Sequence, residues 1–141
     1  MAKGQRTINK IIIHHSASPR ASTSKELVKQ WHVEERGWND IGYHYMLNNR
    51  DEIETGRHIN KQGAHCLEQN ADSIGICVFG NYEGEIPTAK QVEVLRMFVN
   101  SLLDKYNLSW QNVYGHKDFG NTACPGKNLY GVLQQLKQQN S

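Results

Sequence analysis

Two short segments of this 141-residue chain place histidine beside other residues that can bind a metal. One is His14-His15-Ser16, which follows three isoleucines, and the other runs from His116 to Cys124. Zinc prefers imidazole nitrogen and thiolate sulfur as ligands, and a catalytic zinc site has three protein ligands and one open position. Two histidines and one cysteine match that count. The residue types therefore suggest a catalytic zinc site that the fold assembles from distant segments.

The residues alone leave two alternatives open. Composition by itself favours an ordinary interpretation, in which the histidines are partly buried or exposed and Cys124 fills space in the core. His14 and His15 also cannot both face one site within a strand, because successive side chains point to opposite faces. Strand geometry does not decide which of the two would be the ligand.

Strands are the first elements that must position these side chains. Runs of β-branched and apolar residues predict strands at residues 11–14, 43–47, 53–55 and 73–80. The second and third are separated by a turn-rich segment and should form a hairpin. The last is apolar at nearly every position, which is typical of a strand in the middle of a sheet, covered on both faces.

Helices are predicted between these strands and after them. Thr23 and Glu26 form a capping-box pattern, which predicts a first helix from Thr23 to about Gly37. Thr88 and Gln91 form a second such pattern at the start of a longer helix, and a last helix is expected around residues 129–136. Strands interleaved with helices indicate an α/β fold, with a mixed central sheet flanked by helices.

The whole chain, residues 1–141, is expected to form one domain, because this length can bury one substantial core. A formal net charge of +2 is too small for a dedicated nucleic-acid-binding protein. No signal peptide or apolar stretch of membrane-spanning length is recognised, so we expect synthesis in the cytoplasm and no membrane insertion. Three cysteines, without close pairing, predict free thiols or metal ligands and no essential disulfide.

Several motifs occur in an order that resembles a known family, and they span almost the whole chain. They are Ile12-Ile13-His14-His15-Ser16-Ala17, Trp38-Asn39-Asp40-Ile41-Gly42-Tyr43-His44-Tyr45, Gly63-Ala64-His65, Asn70, Ser73-Ile74-Gly75-Ile76, Gly115-His116 and Thr122-Ala123-Cys124-Pro125-Gly126. Together they resemble the zinc-dependent N-acetylmuramoyl-L-alanine amidases, which include small phage endolysins and animal peptidoglycan recognition proteins. The resemblance implies the sheet-and-helix fold of that family.

The resemblance also implies roles for particular residues. His14, His116 and Cys124 match the zinc ligands, which places His15 on the other face of its strand. Tyr43 matches the family tyrosine, whose hydroxyl can donate to the zinc-bound water or to a developing oxyanion. Thr122 stands where many phage members carry lysine and catalytically active recognition proteins often carry threonine. A neutral hydroxyl supplies no formal charge, so catalysis should depend more on zinc and Tyr43.

Four further residues are expected to line a substrate groove, where hydrogen-bonding groups beside aromatic surfaces recognise sugars and peptides. They are Trp38, His65, Asn70 and Arg57, of which His65 has the strongest match to a family motif. No carboxylate is assignable as a general base, and Asp118 and Glu68 are expected to be solvated loop charges.

The activity implied by the resemblance is hydrolysis of the amide that joins N-acetylmuramic acid to L-alanine in bacterial peptidoglycan. The favoured role is that of a phage or prophage endolysin that acts as a monomer and reaches the cell wall through a holin-type route. One alternative is a cytoplasmic amidase that recycles muropeptides, and another is a peptidoglycan-binding module without activity. A purely structural zinc is disfavoured because such sites usually have four protein ligands.

Overall fold

The computed structural model describes residues 6–37 and 40–140, which form one five-stranded sheet and three α-helices. The strands are β1 (Lys10–His15), β2 (Tyr45–Leu47), β3 (Ile53–Thr55), β4 (Ser73–Val78) and β5 (Val113–Gly115). The helices are α1 (Lys25–Gln30), α2 (Ala89–Tyr106) and α3 (Lys127–Gln139). Among the described residues, no helix is both long and apolar enough to cross a membrane.

The sheet is mixed, as predicted. Its strand order is β3-β2-β4-β1-β5, in which β1 pairs in parallel with β4 and β5, and β2 pairs in parallel with β4. Only the β2–β3 pair is antiparallel, which confirms the predicted hairpin. The predicted central strand is β4, and it is buried along its whole length.

The two faces of the sheet have different tasks, because side chains alternate along each strand. Ile11 and Ile13 of β1 and Ile74 and Ile76 of β4 belong to the larger core cluster, together with α2 and α3. On the opposite face a smaller cluster joins Cys77 to residues of α1 and of the loops. His14 shares that second face, since it is paired in register with Cys77.

The first helix differs from its prediction. Its N-cap is Ser24, whose hydroxyl accepts a hydrogen bond from the Leu27 amide, and the expected cap Thr23 instead donates to the Pro19 carbonyl. After α1 the chain continues through a π-helical turn over Trp31–Glu35. The predicted capping box of α2 is confirmed, because the Thr88 hydroxyl accepts from the Gln91 amide while the Gln91 side chain accepts from the Thr88 amide.

Two strand predictions also need correction. The strand expected over residues 43–47 begins at Tyr45, because the carbonyls of Tyr43 and His44 accept hydrogen bonds from a loop at 56–57. The edge strand β5 was not predicted at all. Its three residues are too few to show an alternating pattern, yet β5 is the strand that leads directly into His116.

Candidate metal centre and its cavity

Two parallel strands bring the histidines of the candidate site together. His14 lies near the carboxyl end of β1, and His116 directly follows the carboxyl end of β5, which is the neighbour of β1. In an open sheet with parallel strands, this edge is where ligand sites form. Cys124 comes from the loop before α3, and the Lys117 amide donates to its carbonyl at 2.8 Å. That bond fixes the cysteine loop beside the histidine loop.

The three side chains form a cluster that could hold a metal ion. One donor atom from each of His14, His116 and Cys124 lies within 4.8 Å of the other two. The Cys124 Sγ and the His14 Nδ1 are 3.6 Å apart. A tetrahedral zinc ion, with bonds of about 2.3 Å to sulfur and about 2.1 Å to nitrogen, separates its ligand atoms by about 3.6 Å. The donor set therefore fits zinc, and so does the distance between the Cys124 and His14 donor atoms.

The protonation of the cluster also suits a metal. Burial, followed by the neighbouring His65 and His116, lowers the pKa of His14 well below its usual value, and burial lowers the pKa of His116. Both imidazoles are therefore neutral at pH 7 and offer lone pairs. Burial raises the pKa of the Cys124 thiol to about 12 in the absence of a cation. A thiolate at this position needs a positive ion beside it, as in metal sites.

The cluster opens into a cavity of about 780 Å³, a size suited to a small ligand or to one end of a larger one. Besides the cluster, the lining includes His15, Ser16, His32, Arg36, Tyr43, His65, Leu67, Asn70, Glu83 and Thr122. A second cavity of about 360 Å³, beside Trp31 and Glu35, shares Ser16, His32, Arg36 and Tyr43 with the first. The two cavities therefore adjoin each other at Tyr43.

Tyr43 lines both cavities and lies beside the candidate metal centre. Its ring lies with its centroid 5.1 Å from that of His14 and 5.3 Å from that of His32. Burial, with smaller contributions from Cys77 and Cys124, raises the pKa of the phenol well above its usual value. The hydroxyl therefore keeps its proton at neutral pH and can donate a hydrogen bond.

Thr122 also lines the cavity, and its hydroxyl has a defined partner. The Cys124 amide donates to the Thr122 Oγ1 at 3.2 Å. Because a hydroxyl accepts and donates independently, this bond leaves the Thr122 proton available. The geometry supports two tasks for Thr122, which are to hold the cysteine loop and to offer a neutral donor to a ligand.

His65 lies behind His14. Its Nδ1 is 2.9 Å from the His14 Nε2, and its Nε2 is 3.1 Å from the hydroxyl of Ser73. The side chain is buried, with 8% of its surface exposed, although it reaches the wall of the cavity. Both ring nitrogens are therefore already paired within the protein.

The other predicted groove residues differ in placement. Asn70 lines the cavity, but its Oδ1 accepts from the amides of His65 and Cys66, at 3.0 and 2.8 Å. Arg57 is absent from the cavity lining, and its guanidinium donates to the carbonyls of Ile41, Gln62 and Asp40. That arrangement supports a role in holding the loop and gives no support to a substrate contact. Trp38 lies outside the described residues.

Sequence reasoning missed Ser73 and Gly75, which stand on the same face of β4 as the cluster. A Cβ atom at Gly75 would come within 2.6 Å of the His65 ring, so this glycine makes room for the imidazole. A small polar residue and a glycine, two positions apart in an otherwise apolar strand, could have indicated a notch in the sheet. Asp118, as expected, lies away from the cavity, where it accepts from the Gly115 amide and the Tyr130 hydroxyl.

Comparison with known proteins agrees with this geometry. Residues 4–127 match the family described as N-acetylmuramoyl-L-alanine amidase. Peptidoglycan-recognition protein SC2 of Drosophila simulans is 31% identical over 130 residues, which cover 87% of this chain and 71% of that protein. The endolysin of Enterobacteria phage T3 is 33% identical over 133 residues, covering 90% of this chain and 86% of that protein.

A solved structure shares the fold as well. The amidase LysC from Clostridium intestinale URNW superposes with a TM-score of 0.83 at 30% identity, covering 95% of this chain and 88% of that one. The shared fold explains why residues so distant in sequence meet at one edge of the sheet. On the fold, the site and these relatives, the chain belongs to the N-acetylmuramoyl-L-alanine amidase family.

Proposed function

We propose that this protein is a zinc-dependent amidase that hydrolyses the bond between N-acetylmuramic acid and L-alanine in bacterial peptidoglycan. The observation that carries the proposal is the cluster of His14, His116 and Cys124, with donor atoms within 4.8 Å of one another at an open cavity. Three ligands of this kind are typical of catalytic zinc, since they leave one position for water or substrate. Membership of the family supplies the bond to be cut.

Residues around that centre have separate roles in the proposed reaction. When bound, zinc acidifies a water molecule and polarises the amide carbonyl. The Tyr43 hydroxyl, held protonated by burial, donates to the oxygen on which negative charge develops. Thr122 keeps the Cys124 loop in place through its hydrogen bond and can add a second, neutral donor. The two cavities that adjoin at Tyr43 leave room for the sugar and the peptide on either side of the amide.

We further propose that residues 1–141 act as one amidase domain, as a monomer, and in the manner of a phage endolysin. The similarity to the endolysin of Enterobacteria phage T3 over most of both chains supports this role. An endolysin made in the cytoplasm would reach the wall through a holin-type route. A recycling amidase would act instead on soluble muropeptides inside the cell, so activity against intact sacculi separates the two roles.

Purified sacculi test the proposed activity and its metal dependence together. We expect the protein to release new L-alanine amino termini, a chelator to abolish the release, and added zinc to restore it. New reducing sugar ends would instead identify a glycosidase. Activity that is unchanged after complete removal of metal would contradict the zinc site.

The second candidate is a peptidoglycan-binding module without catalysis. It is favoured by the similarity to peptidoglycan-recognition protein SC2, whose name describes recognition. The same sacculi separate this candidate from the first. A binding module would sediment with the sacculi and leave no new ends, with or without zinc.

A further inference from the structure

His65 is the buried histidine that contacts the candidate metal centre without belonging to it. The His14 ring uses both nitrogens, since its Nδ1 lies 3.6 Å from the Cys124 Sγ and its Nε2 lies 2.9 Å from the His65 Nδ1. The chain of contacts continues from the His65 Nε2 to the Ser73 hydroxyl, at 3.1 Å. The two imidazole planes are nearly perpendicular, at 89°. The contacts form a line that leads from the metal centre into the sheet.

The positions of the protons along this line follow from the chemistry of imidazole. A neutral imidazole carries one N–H, so one nitrogen donates and the other accepts. If the His14 Nδ1 offers its lone pair to a metal, its Nε2 must carry the proton and donate to the His65 Nδ1. The His65 proton then sits on Nε2 and is donated to the Ser73 hydroxyl. If the His14 Nδ1 binds the metal, the position of the ring proton is therefore fixed on both His14 and His65.

The site around His65 is built to hold the ring in this orientation. A Cβ atom added at Gly75 or at Gly63 would come within 2.6 Å of the imidazole, so glycine at these two positions leaves space for the ring. Glycine inside a strand lowers stability, and Gly75 lies in the fully buried β4. The space that the His65 ring requires explains why glycine is present at this position. The backbone at His65 is fixed as well, because Asn70 accepts from its amide.

We propose that His65 is a positioning residue, which with Ser73 holds His14 in the tautomer that presents Nδ1 to the metal. This inference rests on the metal site of the proposed function, and it replaces a direct substrate contact as the role of His65. Histidine ligands commonly donate their second nitrogen to a carboxylate or a carbonyl. Here the acceptor is a neutral imidazole, so the ligand is oriented without adding negative charge behind it.

Three variants separate the acceptor from the bulk of the ring. His65→Leu introduces an apolar side chain of similar length and removes the Nδ1 acceptor. Zinc affinity should therefore fall by about 10- to 100-fold. His65→Asn places an oxygen at the position of Nδ1 and should recover most of that affinity. His58→Ala removes an exposed histidine whose Nδ1 accepts from the Asn60 amide, and it should leave zinc affinity unchanged.

The measurements are a chelator competition for zinc and nitrogen-detected NMR of the histidine rings in the zinc-loaded protein and after chelation. We expect Nε2–H on both His14 and His65 in the parent protein, and a mixture of His14 tautomers in zinc-free His65→Leu. The NMR of the parent protein needs no variant, so a misfolded His65→Leu would not protect the proposal. An Nδ1–H tautomer of His14 in the zinc-free parent would overturn it.

A second outcome would also overturn the proposal. If folded His65→Leu binds zinc with parent affinity but shows a raised KM for a muramyl peptide, His65 contacts substrate and does not position the ligand. A parent protein that binds no zinc at all would contradict the proposed function instead. The two failures are therefore distinguishable.

Discussion

Tyr43 has the clearest chemical assignment at the scale of single residues. Its ring is half-buried beside His14 and lines both cavities, and its hydroxyl interacts with the side chain of the buried Cys77. Burial raises its pKa, so it is suited to donate a proton in a hydrogen bond and unsuited to act as a base. No aspartate or glutamate belongs to the metal-binding cluster found among the described residues. Under the proposed function, catalysis at this centre depends on the metal and on neutral hydrogen-bond donors such as the Tyr43 hydroxyl.

Removing only the hydroxyl tests this assignment. Tyr43→Phe should retain the fold and the zinc, because the ring keeps its shape, but the release of L-alanine termini should slow by about 100-fold or more. Zinc content and turnover on sacculi are measured on the same sample. A zinc-loaded Tyr43→Phe protein with parent turnover would remove Tyr43 from the catalytic group.

At the scale of elements, the side chains of β4 alternate between the hydrophobic core and the candidate site. Ile74, Ile76 and Val78 enter the core beneath α2 and α3, while Ser73 and Gly75 face the side of the site. The helices α2 and α3 contribute to the core without entering the cavity. One face of β4 therefore contributes to the stability of the fold and the other to the geometry of the candidate site, so substitutions on the two faces can be compared.

Two glycine substitutions use that separation. Gly75→Ala forces a Cβ atom against the His65 ring and should destabilise the protein by about 1–3 kcal/mol while weakening zinc binding. Gly131→Ala lies in α3, where the new Cβ would meet none of the described atoms within 4 Å apart from its chain neighbours and its own helix backbone, and it should stabilise by about 0.5–1 kcal/mol with no effect on zinc. Urea unfolding and chelator competition measure both effects. Equal zinc affinity in the two variants would contradict the tight fit of His65.

The sequence predicts elements where a pattern is long and locally coded. The capping box at Thr88 and the apolar run of β4 are of that kind, and both predictions are confirmed. Prediction from the sequence is wrong where two neighbouring residues can both cap a helix, and it misses an element that is very short. Thr23 and Ser24 are both good caps, and which one is used depends on the hydrogen bond from Thr23 to Pro19. The three residues of β5 become a strand only through pairing with β1.

The candidate site shows the same division. The resemblance named His14, His116 and Cys124, and the structure brings them together. The position of His65 behind His14 depends on a contact across 51 residues of chain, which no local pattern encodes. The guanidinium of Arg57 is occupied by loop carbonyls for the same reason, since those carbonyls meet it only after folding.

At the scale of the whole molecule, buried neutral histidines make the fold sensitive to acid. The Nδ1 atoms of His15, His32 and His44 accept hydrogen bonds from the amides of Tyr82, Gly42 and Gly75. A protonated nitrogen cannot accept these bonds. Burial, and then Arg36 and Arg57, lowers the pKa of His32 to about 4, and burial, with Arg6 and Arg57, lowers that of His44 to about 4.

The direction of the pH effect follows from these lowered values. An unfolded histidine titrates near pH 6.5. Below that pH these histidines are therefore protonated in the unfolded chain while they are still neutral in the folded chain, which favours unfolding. Stability should therefore be full above pH 6.5 and should fall as the pH drops to about 4, with a contribution on the order of 3 kcal/mol from His44. His44→Asn keeps an acceptor for Gly75 without titrating, and should lose less stability over this range.

Urea unfolding at a series of pH values, with chelator present so that metal binding does not contribute, measures this difference. Parallel stability profiles for the parent protein and His44→Asn would show that His44 does not carry the acid sensitivity.

The central claim is that Cys124 completes a zinc site whose metal performs the hydrolysis. Cys124→Ser replaces a soft thiolate by a hydroxyl of nearly the same size, so zinc affinity should fall sharply while packing is preserved. The decisive measurement is the zinc content of this variant together with the L-alanine termini that it releases from sacculi. We predict a folded protein that still sediments with sacculi, holds little zinc and releases no new termini. Normal zinc content with full activity in Cys124→Ser would contradict the account, because the third ligand would then lie elsewhere.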